Sequence, residues 1–458
     1  MNPSSYSDSS HLTIIGGGIT GLVSAYLAAK SGKKVTLIEA NDDIGGLLRT
    51  FSIGGNQLEH YYHHFFNHDA EINWLINELE LDNSLMFRPT SMGIYQNGKI
   101  YDFNSPIDLL KFHPIGLPAK VMFGLSGMFM GKVADWRKYE HISAKSWLKK
   151  WAGKGATDSI WGPMLDIKFG PFAEDIPLSW MIGRMRQRLG SRNNVGREEL
   201  GYLNGSLNIL LQALKDKLNQ LGVSIKVSSP IVSVDIQADE IKAVHTKSER
   251  IEGGPFLFTI PTNYLSAILQ GADDELAKQL GAIDYFGAVC TILEMDRPLS
   301  NTYWLNVAEQ GFPFGGVIEH TNFIDSSHYQ NKHIAYLSRY FDRNDPLAHM
   351  PEEEISDMMI KPLSRIYPAF REQHIHKIHV FRTMTAAQVC HLKFSEKVPS
   401  CKTKVKGLFL ANMAHIYPDE RSVNNSVRIA AEALKVIYST SYAENVPFGI
   451  SLSGKIGF

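Results

Sequence analysis

The sequence predicts an α/β protein of two domains, and three observations lead to this prediction. Residues 12–40 read as a strand, a glycine-rich turn, a helix and a second strand. A second strand–turn–helix run occupies residues 405–437. The chain has 458 residues, which is more than one hydrophobic core usually organises. We therefore expect the segments between the two runs to build a second domain.

The first run, LTIIGGGITGLVSAYLAAKSGKKVTLIEA, has the pattern of a dinucleotide-binding βαβ unit. Its turn carries the GxGxxG glycines Gly16, Gly18 and Gly21. The first allows a tight bend, the second lets a pyrophosphate approach the backbone, and the third lets helix and strand pack closely. Glu39 ends the second strand, where an acidic side chain accepts hydrogen bonds from ribose hydroxyls. The unit is therefore expected to be Rossmann-like.

Composition excludes several classes of function. The net charge is −1, and no long run of like charges is present, so nucleic acid is not an expected partner. Cys290, Cys390 and Cys401 have no CxxC spacing, which argues against a disulfide framework or a zinc–thiolate site. The polar residues 1–9 lack a secretion signal and are expected to be a disordered leader. These features indicate a cytoplasmic protein.

A second glycine pair follows Glu39 in the stretch ANDDIGGLLRT, residues 40–50. This stretch resembles a flavoprotein pattern, ExxxxxGGxxxT, that follows the βαβ unit. The resemblance implies that Gly45 and Gly46 lie beside FAD and that Arg49 reaches a phosphate or the flavin. The alternative is a surface turn with a solvated Arg49.

The closing run begins with the apolar strand Leu408–Leu410 and continues through a polar turn into a helix. Ser422 or Asn424 is expected to cap this helix, whose N-terminal amides would then face an electronegative group. In two-domain flavoproteins the equivalent segment stabilises negative charge at the flavin's pyrimidine edge. The alternative is an amphipathic helix that only packs on the sheet.

Together these segments, with LGYLNGSLNILLQAL at 200–214, resemble the FAD-dependent superfamily of amine oxidases, protoporphyrinogen oxidases and phytoene desaturases. The resemblance implies a two-domain FAD-binding fold with a substrate domain of mixed β-sheet and helices. Residues 10–57, 196–265 and 396–440 would form the FAD-binding domain, residues 58–195 and 266–395 the substrate domain, and residues 441–458 a tail. Non-covalent FAD is expected, because Cys401 does not match the covalent-linkage motif. The expected cofactor contacts are Gly16, Gly18, Ile19, Thr20, Gly21, Glu39, Ala40, Gly45, Gly46, Leu47, Arg49, Ile231, Asn412, Arg421, Ser422 and Asn424.

A narrower resemblance is to UDP-galactopyranose mutase. It covers HFFNHD (64–69) and the strand–NG–strand and proline-led helix of residues 93–110. His64 and Asp69 match the mutase histidine and aspartate near the flavin. Asn67 and Tyr62 depart from its pattern, and its closing motif is absent.

The function implied is an FAD-dependent oxidoreductase, with hydride transfer from a substrate C–H to flavin N5 and reoxidation by oxygen or a quinone. A small molecule is the expected partner: an amine, a nucleotide sugar or a lipid-linked compound, in sugar, lipid or polysaccharide metabolism. Two alternatives stay open. One is a mutase-like isomerase of nucleotide sugars, and the other is an FAD-bound protein without turnover. The substrate, the electron acceptor and the oligomeric state do not follow from the sequence.

Candidate catalytic residues come from separated segments. Arg184 and Arg188 share a helix face at i, i+4 spacing, where they could grip a phosphate or carboxylate or form a solvated basic face. The sequence does not decide whether Lys168 lies beside the flavin or at the surface. Residues 316–323 and 335–341 are expected to be adjacent strands, on which Glu319, His320, Arg339 and Tyr340 could line the pocket. Tyr417 is expected as an aromatic wall. The predicted catalytic set is therefore His64, Arg184, Arg339 and Tyr417.

Two further stretches have competing interpretations. LEHYYHHFFNHD (58–69) could bind a metal, line a pocket or form a packed strand; we favour the pocket wall and predict no metal site. If extended, it places His60, Tyr62, His64 and Phe66 on one face. VMFGLSGMFMGKV (121–133) is either a helix of the substrate domain or a monotopic helix in peripheral contact with a membrane.

Overall fold

The computed structural model describes residues 11–191, 198–438, 446–447 and 457–458. Its strands, numbered in chain order, are β1 His11–Ile15, β2 Lys34–Ile38, β3 Thr50–Ile53, β4 Asn56–Glu59, β5 Phe65–Phe66, β6 Leu85–Pro89, β7 Met92–Gln96, β8 Lys99–Asp102, β9 Glu199–Leu203, β10 Ser224–Lys226, β11 Ser233–Gln237, β12 Glu240–His245, β13 Arg250–Glu252, β14 Phe256–Phe258, β15 Tyr285–Met295, β16 Trp304–Val307, β17 Gly316–Glu319, β18 His333–Phe341, β19 Ile375–Gln388 and β20 Leu408–Leu410. 

The α-helices of the described residues are α1 Ile19–Lys30, α2 Ala70–Glu78, α3 Pro106–Lys111, α4 Leu117–Lys132, α5 Ala144–Trp151, α6 Lys154–Ala156, α7 Gly162–Phe169, α8 Leu178–Gly190, α9 Asn208–Gln220, α10 Thr262–Leu269, α11 Asp274–Gly281, α12 Glu352–Ile360, α13 Leu363–Ile366 and α14 Val423–Tyr438. No helix in this part of the chain is long and apolar enough to cross a membrane.

A parallel sheet of order β10-β2-β1-β14-β20 forms the first layer. Strands β1, β14 and β20 are short, largely buried apolar runs, as expected for a parallel sheet covered by helices. In the register, Ile15 pairs with Ile38 on one side and Phe258 on the other. Helices α1, α9 and α14 contact one another or the sheet. The strands come from three separated stretches of sequence, which the sheet brings together.

A mixed sheet of order β19-β15-β18-β17-β16-β7-β8 forms the second large unit. Its pairs are antiparallel except β16 with β7. The predicted adjacent strands are β17 and β18, although β17 ends at Glu319 and residues 320–322 form a helical turn. The predicted strand–NG–strand and proline-led helix are β7, β8 and α3. The predicted α/β class is confirmed.

Helices α3 to α8 form a helical layer beside the mixed sheet. Its core contains Trp136, Leu148, Ile160 and Leu178, which are almost fully buried. Helix α4 packs on α8 through small residues: Gly127 faces Met185, and Gly131 faces Leu189. The backbones of the two helices therefore approach closely at this contact.

The domain boundaries given above remain a prediction. The predicted leader, residues 1–9, lies outside the described residues. So do most of the predicted tail, residues 441–458, and the substrate-domain boundary near residue 195.

Candidate functional site: a cavity between the two sheets

A cavity of about 1290 Å³ begins at the carboxyl ends of the parallel strands and continues to the mixed sheet. Gly16 follows β1, Glu39 follows β2, Thr259 follows β14 and Asn412 follows β20, and all four line it. The carboxyl edge of a parallel sheet is the usual place for a ligand. The volume exceeds the several hundred Å³ typical of a pocket for one small ligand. It can therefore hold a dinucleotide together with a second molecule.

Two glycine loops lie back to back at the nucleotide end. Gly45 donates its backbone N–H to the Gly17 carbonyl at 2.8 Å, and Gly18 bridges to Gly45. Gly46 has φ +57°, and a Cβ there would lie 3.1 Å from the Gly18 Cα. Both loops line the cavity. Their close contact requires glycine, because a side chain at the contact would have no space. The two glycine motifs are therefore in direct contact beside the cavity.

Gly16 and Gly21 explain why the first turn needs glycine. Gly16 has φ +113°, and a Cβ on it would lie 2.6 Å from the Thr259 Oγ1. A Cβ on Gly21 would lie 1.9 Å from the Gly16 carbonyl oxygen. By contrast, a Cβ on Gly18 would meet only the Gly46 Cα at 4.0 Å, so this position is open to a ligand. The turn is therefore a cradle of the kind a pyrophosphate occupies.

Glu39 is buried and held rigidly. Its Oε2 accepts the Gly17 N–H at 2.7 Å, and its Oε1 accepts the Asn41 N–H at 2.8 Å and the Asn41 Nδ2 at 2.6 Å. Arg49 lines the cavity and pairs with Asp42 at 2.7 Å, so it is not simply solvated.

Most of the predicted cofactor contacts line the cavity: Gly16, Gly18, Ile19, Thr20, Glu39, Ala40, Gly45, Gly46, Leu47, Arg49, Ile231, Asn412, Arg421 and Ser422. Gly21 lies behind this lining, in the first turn of α1. Ser422 is the cap of α14, because its Oγ accepts the Asn425 N–H at 3.1 Å. Asn424 points elsewhere: its side chain accepts the Ile72 N–H and donates to Glu71. We therefore remove Asn424 from the cofactor set and assign it to the contact between α14 and α2.

Some buried polar atoms at the cavity have no partner within the described residues. They include the His64 Nδ1 and the Arg421 Nε. Unpaired buried polar atoms are costly, so a bound polar ligand is the simplest way to satisfy them. Together with the glycine cradle, this donor set fits a flavin dinucleotide.

A charged cluster occupies the cavity beyond the nucleotide end. The Glu420 carboxylate accepts from the Arg184 Nη1 at 2.5 Å and from the Lys168 Nζ at 3.1 Å. Burial by itself raises the pKa of Glu420, but Arg184, Lys168 and Arg421 hold this pKa well below its ordinary value. Burial lowers the pKa of Lys168 to about 8, against the opposing effect of Glu420. The Lys168 ammonium also lies 4.6 Å from the Trp180 ring centroid. Lys168 is thus a cavity residue, which answers the question that the sequence leaves open.

Two more cations complete the cluster. The Arg188 Nη1 donates to both Glu198 oxygens at 2.9 and 3.1 Å, and its guanidinium lies 5.9 Å from the Trp304 ring centroid. Arg421 donates to the Tyr340 hydroxyl. The predicted i, i+4 pair Arg184 and Arg188 therefore faces the cavity, and a separate carboxylate already holds each member.

The histidine-rich stretch lines the cavity as an irregular segment. Residues 60–64 lie between β4 and β5 outside any strand, and His60, Tyr61, Tyr62, His63 and His64 all contact the cavity. The alternation of faces that an extended segment would have does not apply to residues 60–64, because they lie outside any strand. His63 donates from Nδ1 to the Tyr61 carbonyl at 2.6 Å. Within the described residues no group of three or more His, Cys, Asp or Glu could hold a metal.

Burial keeps these imidazoles neutral. It lowers the pKa of His60 and of His63 to about 4, and Arg49 and Arg421 add to the respective effects. It lowers the pKa of His64 to about 3, with Arg188 adding to the effect. His60 stacks on Phe381 with ring centroids 3.9 Å apart. His64 meets Trp304 edge to face at 5.8 Å. The stretch therefore supplies neutral, aromatic walls rather than cations.

Other candidates lie elsewhere. Tyr417 is fully buried outside the cavity lining, and its hydroxyl lies 2.5 Å from the Ser179 Oγ. Tyr417 packs edge to face on Trp136, so we remove it from the catalytic set. Arg339 lines the cavity but pairs with Asp345 at 2.8 Å.

Glu319 and His320 also lie outside the cavity lining. Glu319 accepts the backbone N–H groups of Leu299 and Ser300, while His320 bonds to the Tyr329 hydroxyl at 2.8 Å. Their polar atoms are used within the fold, because β17 ends there and the chain turns away.

The sequence did not indicate several of the cavity residues, among them Glu420, Glu198 and Trp304. The partners of Glu420 lie 236 and 252 residues away in the chain. The adjacent Glu420 and Arg421 before an apolar helix are a signal that could have pointed to this position. No local pattern marks Trp304.

A comparison with protein families matches residues 19–419 to the model for flavin-containing amine oxidoreductases. The 15-cis-phytoene desaturase of Arabidopsis thaliana is 20% identical over 435 residues, covering 87% of this chain and 75% of that protein. The mitochondrial protoporphyrinogen oxidase of Nicotiana tabacum is 26% identical over 169 residues, covering 35% of this chain and 32% of that protein. The structure of reduced UDP-galactopyranose mutase has a TM-score of 0.74 at 15% identity, covering 97% of both chains.

Proposed function

Since the chain belongs to the flavin-containing amine oxidoreductase family, whose cofactor is FAD, we propose that it oxidises a substrate with an anionic group and an apolar body. The expected resemblance to this superfamily is confirmed. FAD, when bound, supplies a hydride acceptor for a substrate C–H bond. The chain's own residues decide which substrate reaches it.

The charge of the cavity is the observation that carries this proposal. Its charged cluster sets four cations, Lys168, Arg184, Arg188 and Arg421, against two carboxylates, Glu420 and Glu198. The surplus of positive charge is shielded from water by the cavity walls, where charge interactions are stronger than at a surface. An alkylammonium substrate would be repelled by it. A carboxylate or phosphate would be attracted, and arginines bind both through paired N–H groups.

The part of the same cavity beside the helical layer is apolar rather than charged. It is lined by Phe103, Phe123, Ile160, Trp161 and Met164, which are large and apolar. Phe123 stacks on Trp161 with ring centroids 4.9 Å apart. A substrate that fills both regions is amphiphilic, which favours the lipid-linked class over a small hydrophilic amine.

The chain's residues have separate tasks in this reaction. The cations hold the anionic group, and Glu420 keeps Lys168 and Arg184 oriented. His64 and Tyr62, as neutral aromatic groups, exclude water from the reacting C–H bond. FAD itself would be held by the glycine cradle, the Glu39 region and the N-terminal end of α14.

Anaerobic photometry of the FAD-loaded protein tests this proposal. The protein is mixed with each of three amphiphiles that share one apolar chain. Their head groups are a diphosphate, a hydroxyl and an amine. We expect only anionic members to bleach the oxidised flavin absorbance. Bleaching by the amines and not by the anions would overturn the proposal.

A redox-neutral isomerase of nucleotide sugars is the second candidate. The cationic cavity and the similarity to UDP-galactopyranose mutase favour it. It predicts conversion only after the flavin has been reduced, without net consumption of an oxidant. An unreactive flavin under every condition would instead favour an FAD-bound protein without turnover.

A further inference from the structure

Helix α4 presents its apolar side to solvent. Its exposed large apolar side chains are 38% to 63% exposed and recur with helical spacing; they are Leu117, Val121, Met122, Leu125, Met128 and Phe129. On the preceding helix α3, Ile107 and Leu110 are 62% and 57% exposed. We call these eight residues the α3–α4 face. So large an exposed group of apolar side chains marks an interaction surface.

The buried residues of α4 are Lys120, Ser126, Gly127 and Met130, so three of the four are polar or small. Lys120 is buried and donates from Nζ to the Leu110 carbonyl, and Ser126 is buried and donates to the Phe123 carbonyl. Gly127 and Gly131 face α8. A helix on a water-exposed surface normally has the opposite arrangement. The sequence of α4 is thus suited to an apolar environment on its outer side.

A basic margin flanks this face in the sequence. Residues 106–154 contain nine Lys and Arg but three Asp and Glu, in a chain whose net charge is −1. Within the described residues, no carboxylate forms an ion pair with Lys111, Lys132, Lys149, Lys150 or Lys154. Trp151 is exposed at the end of α5, and Trp147 stacks on Phe129 at 5.4 Å. Exposed apolar side chains flanked by lysines and tryptophan are typical of helices that lie in a membrane interface.

We propose that the α3–α4 face docks on an anionic phospholipid bilayer. The apolar side chains enter the boundary between headgroups and acyl chains, while the lysines pair with lipid phosphates. The charge of the margin selects this occupant over an uncharged protein surface. Phe123 lies on the same helix and lines the apolar end of the cavity, so the docked face adjoins the region assigned to the apolar body of the substrate.

Vesicle cosedimentation of the full-length, FAD-loaded protein tests the docking. Vesicles of phosphatidylglycerol mixed with phosphatidylcholine are compared with vesicles of phosphatidylcholine alone, at low and high salt. We expect binding to the anionic vesicles, and weaker binding at high salt because the lysine contribution is screened. The double variant Leu117→Asp/Leu125→Asp should lower the partition coefficient about tenfold or more.

A matched control adds the same charges elsewhere. Leu221 and Ile378 are also exposed apolar residues, and Leu221→Asp/Ile378→Asp should bind vesicles like the wild type. Retained FAD and an unchanged unfolding temperature show that each variant is folded. A wild type that ignores anionic vesicles, or a control variant that loses as much binding, overturns the proposal. The proposal would also be overturned if the wild type does not bind vesicles and is a dimer that Leu117→Asp/Leu125→Asp dissociates. The face would then dock on a second copy of the chain. Vesicle binding does not depend on turnover, so it can fail or succeed independently of the proposed reaction.

Discussion

Glu420 is the residue on which the charged cluster depends. It is the shared partner of Lys168 and Arg184, and its side chain is 18% exposed. Removing one partner of a buried ion pair leaves an uncompensated charge, which costs several kcal/mol. Glu420→Gln is therefore expected to lower the free energy of unfolding by about 3 kcal/mol, as measured by urea denaturation. Lys168→Met/Glu420→Gln should recover part of this loss, since it removes one stranded cation. If the double variant loses more free energy of unfolding than the two single variants lose together, the two groups are not paired as described.

Lys168 gives the cluster a pH dependence. Its pKa is about 8 in the folded protein and 10.5 ordinarily. The unfolded chain therefore binds more protons between these values, so the free energy of unfolding should rise as pH increases from 8 to 10.5. The rise should approach 2 to 3 kcal/mol, since one pKa unit corresponds to about 1.4 kcal/mol. Urea denaturation at several pH values measures it. In Lys168→Met the rise should be absent; its persistence would mean that another group titrates there.

His64 is expected to act as a neutral wall group. His64→Ala should change the visible spectrum of the bound flavin or reduce turnover, because it opens space beside Trp304. His68→Ala is the control, since His68 lies outside the cavity lining. Equal effects of both substitutions on the flavin spectrum would show that the stretch is only a packing element.

Among the structural elements, the two glycine loops act together as one part of the cofactor site. Gly46→Ala would place a Cβ 3.1 Å from the Gly18 Cα at φ +57°, so it should lower the affinity for FAD at least about tenfold. Gly32→Ala is the matched control, because Gly32 also has positive φ but meets nothing within 4 Å. It should lose a little stability and no FAD affinity. FAD absorbance after desalting compares the variants; equal FAD retention by Gly46→Ala and the wild type would contradict the close approach of the loops.

The elements also show how much of the site a sequence can predict. The glycine turns, Glu39 and the Ser422 cap are recognisable because their chemistry is local: each needs a fixed residue within one turn of chain. The cluster around Glu420 is not recognisable, because its members meet only when α7, α8 and the turn before α14 pack together. Alternation does not predict the faces of the histidine stretch, because residues 60–64 lie outside any strand and strand periodicity assumes that a ladder continues through them.

In the whole molecule, one cavity joins three environments. They are a glycine cradle at the parallel sheet, a cationic cluster, and a group of apolar side chains that includes Phe123 of α4. The α3–α4 face lies on the outer side of the same helical layer. This combination is the one that the proposed oxidation of a lipid-derived anion requires.

The most direct test of this account is a binding titration of the oxidised, FAD-loaded protein, in which flavin difference spectroscopy measures ligand binding. The ligands are farnesyl diphosphate, farnesol and farnesylamine, which share one apolar chain. We expect the diphosphate to bind at least about tenfold more tightly than the alcohol and the amine to bind most weakly. Lys168→Met/Arg188→Met should remove the preference for the diphosphate. Amine binding as tight as that of the diphosphate in the wild type would contradict the account.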